Sequence, residues 1–147
     1  MCNYFAGSLA LIGRVALCAI FLSSALLNKI PNFVGVVAHM EKEGVPLPRI
    51  ALVITIGLLI IGSIFVIIGY KARLGALMLV VFLIAATFYF HDFWNMDAES
   101  SYVQQIMFMK NLSMMGAMLL IIAMGSGPWS LSDCCTSKEK SESNLNN

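Results

Sequence analysis

Charge is what this 147-residue chain has least of: Asp, Glu, Lys and Arg together make up 12% of it, against about 25% in a soluble domain. That scarcity excludes an ordinary water-soluble globule. The formal net charge is +1, so there is no basic surplus of the kind that binds nucleic acid. No Asp or Glu falls inside the apolar stretches described below. The cysteines, Cys2, Cys18, Cys134 and Cys135, form no CxxC pair, and no phosphate loop, nucleophile elbow or HExxH element occurs. The familiar signatures of zinc, nucleotide and triad chemistry are therefore absent.

Apolar sequence fills the space that charge leaves. Hydrophobic residues account for 59% of the chain and gather into runs at Leu9–Leu27, Ile50–Gly69, Leu74–Phe90 and Ile106–Met124. Each approaches the ~20 residues that cross ~30 Å of hydrocarbon at about 1.5 Å per residue. A helix satisfies its own backbone where water is absent, and these runs lack the alternation of barrel strands. The expected fold is all-α, an integral membrane four-helix bundle. Arg14 inside the first run, and the lack of Lys or Arg in Met1–Ser8, argue for a retained span rather than a cleaved signal. Residues 1–131 form one transmembrane domain, and 132–147, rich in Ser, Asn and paired charge, read as a disordered polar tail.

The basic residues near the span ends set an orientation. Lys71 and Arg73 lie in the second connection and Lys138 and Lys140 in the tail, while the third connection holds Asp92, Asp97 and Glu99. Both termini are expected in the cytoplasm. The first connection, Asn28–Arg49, repeats Ile30, Phe33, Val34, Val37 and Met40 at helical spacing, with Pro31 at the start and Gly44, Pro46 and Pro48 as a stop. It predicts a short interfacial helix between spans one and two.

Four spans in series bring the end of the first, the end of the third and the start of the fourth to one membrane face. Lys29, His91, Asp92, Gln105, Lys110 and Asn111 gather there with Asn28 and Gln104, beside Phe88, Tyr89, Phe90, Phe93, Trp94 and Tyr102. Two readings stand. Snorkelling lysines, helix-tying amides and an aromatic belt make this a structural pole. A flat molecule with a polar head, such as a quinone, taking hydrogen bonds from Lys, His or Gln, makes it a pocket. His91 and Asp92 are adjacent but lack a third metal ligand, so no metal site is expected.

Arg14 is the sharper anomaly, because a mid-span arginine costs about 2.5 to 3.5 kcal/mol on insertion scales. Its partner is a lipid phosphate, an internal carbonyl, a loop or tail carboxylate or a bound anion, and the residue types leave these open. Small residues, Ala19 with Ser23, Ala72 with Ala76, and Gly57, Gly62 and Gly116, point to close helix approach. Free thiols are expected, with Cys134 and Cys135 alternatively redox-active or lipid-anchored.

The string Thr87-Phe88-Tyr89-Phe90-His91-Asp92-Phe93-Trp94, followed by Gln104 to Leu112, resembles the signature region of the DoxX family. Gly13-Arg14, Leu27 to Ile30 and Gly69 to Leu74 fall in the family's order, and the likeness covers residues 9 to 131. The resemblance implies a four-helix protein of the bacterial cytoplasmic (inner) membrane, tied to quinone- or thiol-linked redox systems or to membrane-protein assembly. It marks Arg14, Lys29, His91, Asp92, Gln105, Lys110 and Asn111. Where many relatives carry an acidic residue in the second span this chain has Leu59, which removes a carboxylate relay. Two functions follow: the membrane component of a redox system with a quinone or partner subunit at the pole, or a non-catalytic assembly factor or scaffold. The residues do not decide whether the chain is an enzyme, which membrane or redox protein it meets, or whether it forms an oligomer.

Overall fold

The structure is a computed structural model that describes residues 2–90 and 98–131, with side chains from Tyr4 to Phe90 and from Ser101 to Leu131. Within them every regular element is helical: α1 (Cys2–Ser23) runs into a π-helical segment (Ser24–Lys29), then come α2 (Phe33–Lys42), α3 (Pro48–Ile68), α4 (Ala72–Phe90) and α5 (Ala98–Met124). Four segments, Tyr4–Lys29, Pro48–Ile68, Ala72–Phe90 and Ser101–Met124, are long and apolar enough to cross a bilayer. The chain is a multi-pass membrane protein whose outer helix faces meet lipid. The tail and the segment holding His91 and Asp92 lie outside the described residues.

Two spans start earlier than the apolar runs suggested. The first begins near Tyr4 rather than Leu9, and the fourth near Ser101 rather than Ile106. Polar residues such as Gln104 and Ser101 hid the fourth start, since a helix tolerates them where they face protein instead of lipid. Counted along their helices, Arg14 and Lys110 are roughly 14 to 15 Å from those starts at about 1.5 Å per residue.

Packing runs α1 on α3, α3 on α4 and α4 on α5, while α1 and α5 share little direct contact. One core joins Cys18, Phe21 and Ala25 of α1, Leu59 and Val66 of α3, Ala76, Leu79 and Leu83 of α4, and Met118 of α5. In lipid no hydrophobic force draws helices together, so close van der Waals fit carries the association. The tightest approach is α3 on α4, where a Cβ at Gly75 would stand 2.6 Å from the Gly62 carbonyl oxygen. Gly62, Ala72 and Ala76 serve the close approach expected of them, and Gly75 joins them. Gly57 and Gly116 meet nothing within 4 Å, and Ala19 and Ser23 are exposed. Small size permits contact but does not choose the face.

The short helix expected in the first connection is α2. It buries Val37 and Met40 against Val45 and Leu52, leaving Val34 exposed. Its end is a Schellman turn: Val45 N–H donates to Met40 O (3.0 Å), Gly44 N–H to Glu41 O (3.2 Å), and Gly44 takes φ +71°. Pro48 opens α3 instead of closing α2, at the position where its missing N–H costs nothing.

Candidate functional site

Each end of the bundle holds a cation within a span, in different surroundings. At the first end, α1 widens over Ser24–Lys29 into π geometry, and Ile30 N–H reaches back five residues to Ala25 O at 3.0 Å. Pro31 supplies the cause, since its ring would clash with the carbonyl four residues earlier, that of Leu27, in a regular helix. The wider turn stacks residues five apart, so Lys29 Nζ donates to Ser24 Oγ at 2.7 Å and stands 5.5 Å from the Phe82 ring centre. Single-turn π segments recur at functional sites. Pro31, placed just after an apolar run, was the one sequence signal for it.

Lys29 opens onto a cavity of about 700 Å³, inside the ~300–1,000 Å³ range of small-molecule sites. The π segment, α2 and the facing ends of α1, α3, α4 and α5 all line it. Its walls are largely apolar, with Phe21, Leu52, Phe82, Leu83, Phe90 and Met114 among them. Lys29, His39, Tyr89, Gln104, Lys110 and Asn111 supply polar groups. The His39 ring lies 5.3 Å from Phe90, tilted by 34°, and its Nδ1 is 3.9 Å from Glu43 Oε1. Asn111, buried, donates from Nδ2 to Thr87 Oγ1 at 3.1 Å and so ties α5 to α4.

Of the residues singled out in the sequence, Lys29, Lys110 and Asn111 meet at this cavity. Gln105 is exposed and does not line it; its neighbour Gln104, seven residues before Asn111 and so on the same helix face, does. His91 and Asp92 lie outside the described residues. The aromatic cluster divides, with Tyr89 and Phe90 forming wall while Phe88 and Tyr102 point outward. His39 and Ser24 were not singled out. An exposed His on a surface helix and a Ser within an apolar run carry no distinguishing spacing.

The opposite end is closed. Arg14 is only 4% exposed, so it does not snorkel. Its Nη2 donates to the Trp129 carbonyl at 2.8 Å and its Nε to Ala10 O at 3.3 Å. Of the partners left open by the sequence, the internal carbonyl is the one observed. The strap that delivers it turns back over α1 through Gly125, Gly127 and Trp129, all at positive φ. Gly69 (φ +74°) makes room, because a Cβ there would stand 2.5 Å from Arg14 Nη1 and collide with Ser130. Gly7 does the same for the Trp129 ring, at 2.5 Å. Arg14 Nη1 is buried without a hydrogen-bond partner among the described residues.

Four helices long and apolar enough to cross a bilayer, with a cavity between their facing ends, define a polytopic membrane protein. The SURF4 family model matches residues 5–138, and the chain belongs to that family. It is 30% identical to the inner membrane protein YphA of Escherichia coli over 84% of this chain and 87% of that protein. It is 31% identical to the inner membrane protein YqjF of the same organism, over 82% and 87%. The Surfeit locus protein 4 homolog of Schizosaccharomyces pombe shares 32% identity over 69% of this chain, which spans about a third (33%) of that longer protein. No solved structure matches the chain. The resemblance to the DoxX family is overturned by the family match. Short aromatic and basic strings at span ends arise wherever helices of this length meet an interface, and so they distinguish small four-helix families poorly.

Proposed function

We propose that this protein binds, in the cavity beside Lys29, an amphiphilic molecule with a polar hydrogen-bonding head and an apolar body. The single observation that carries the reading is the cavity itself: largely apolar walls between the span ends, with Lys29 and Lys110 among its lining residues. A cavity of this size walled by apolar side chains, with a few convergent polar groups, is what a small-molecule site requires. In this reading the molecule enters between α1 and α5, which share little direct contact. A quinone, the occupant expected from the sequence, falls within this class. The reading is one of binding and carries no redox step, because the resemblance that implied one no longer stands.

The protein acts in a cytoplasmic membrane, as the names of its Escherichia coli relatives suggest, with both termini on the basic, cytoplasmic side. Mass spectrometry of protein purified in native lipid nanodiscs tests the binding: an amphiphile should co-purify, and its occupancy should fall when Phe82 or Leu83 is replaced by Trp to fill the cavity. Equal occupancy in the filled variants would overturn the reading. The assembly-factor reading has one observation in its favour, that the fourth span buries the smallest share of its surface within the chain. Co-purification of a stoichiometric membrane protein without any small molecule would replace the first reading by the second.

A further inference from the structure

Resting on that pocket being a binding site, we infer that the head it accepts is anionic, a carboxylate or phosphate monoester on a single apolar chain, read by Lys29 and Lys110. Every charged or titratable basic group among the described lining residues has one sign: two lysines and His39, with no Asp or Glu. The contacts that hold Lys29 are neutral, the Ser24 hydroxyl and the Phe82 ring face. Neither compensates a full charge once an apolar occupant displaces water, and an ammonium has three donors, of which Ser24 takes one. Of the neutral polar groups nearby, Asn111 has one amide N–H committed to Thr87.

A neutral carbonyl head would accept a hydrogen bond yet leave both cations without a carboxylate partner among the described residues. An oxyanion within reach of both ammonium groups would accept from each and offset their like charge. The rest of the cavity fixes the body of the molecule. Phe21, Phe82, Leu83 and Met114 offer no hydrogen bonds, and about 700 Å³ is the volume of one small-molecule site. Charge at the polar liners and hydrocarbon at the others select an acidic single-chain amphiphile.

The test uses the full chain in phosphatidylcholine nanodiscs and three diazirine-bearing probes: a C16 fatty acid, its methyl ester, and a lysophosphatidic acid. The acid should label cavity peptides about tenfold more than the ester, a difference on the order of one decade in affinity. In the double variant Lys29→Gln, Lys110→Gln, the preference for acid over ester should disappear. Lys29→Arg with Lys110→Arg should keep the preference, which guards against a folding defect in the neutral pair. Preference for the fatty acid or for the lysophosphatidic acid tells the carboxylate source from the phosphate source. Equal labelling by acid and ester in the unaltered protein would overturn the anionic head and leave the pocket standing. Labelling by neither would remove both.

Discussion

Arg14, mid-way along the first span, and Lys29, at its end, make their contacts toward opposite ends of the bundle, each a cation within hydrocarbon-length helix and neither paired with a carboxylate among the described residues. Their surroundings differ. Around Arg14 the chain supplies the acceptor itself, folding residues 125–131 back so that the Trp129 carbonyl meets the guanidinium, and glycines at positions 7 and 69 clear the space. Around Lys29 the chain supplies a hydroxyl, a ring face and an open cavity. A planar guanidinium suits a fixed carbonyl latch, whereas a flexible ammonium suits an acceptor that comes and goes. One end of the bundle is closed by the strap and the other holds a cavity, which under the proposed function is the receptive one.

The largest effect should come from Gly69→Val. It puts a β-branched residue at φ +74° and drives a side chain into Arg14 and Ser130, so a loss of about 3 kcal/mol or more is expected from strain and overpacking together. Loss of monodisperse protein on extraction, or a much lower apparent Tm in detergent, would show it; an unchanged Tm would mean that the strap is not packed at this end.

Next comes Arg14→Ala, which leaves a gap and an unmet Trp129 carbonyl. It should cost about 2 kcal/mol. Hydrogen exchange at residues 125–131 should accelerate in step, while ligand occupancy at the far cavity stays as it was. Coupled loss of occupancy would break the division into two halves. Asn111→Ala removes one interhelical bond and should cost about 0.6 to 1 kcal/mol, with a coupling to Thr87→Val of about 0.6 kcal/mol in a double-mutant cycle.

The smallest effect on stability should be Lys29→Met. Replacing a partly buried cation by an apolar chain of similar length is expected to change stability by less than about 1 kcal/mol, in the stabilising direction. Its mark should fall on ligand occupancy. Destabilisation of the size expected for Arg14→Ala would make Lys29 a structural cation like its counterpart and erase the contrast.

The juxtaposition of Lys29, Lys110 and Asn111 at one end was legible because alternating spans must bring those positions to one face. Gln105 was chosen over Gln104 because residue type cannot tell adjacent positions apart; the heptad spacing of Gln104 and Asn111 was the better guide. The Trp129 carbonyl could not be read at all. A backbone acceptor has no signature in sequence, and the only hints were Gly125 and Gly127 just past the last span.

By itself the sequence determined that this chain is a helical bundle of four spans in lipid, because backbone hydrogen bonds must be satisfied within each run and charge is excluded from most of its length. It also determined which residues share an end. Only the tertiary structure decided that one end is sealed by a strap and the other holds a cavity. That choice depends on how closely helices approach, on a π turn that re-aims Lys29, and on main-chain atoms distant in sequence, and side-chain identity encodes none of these locally.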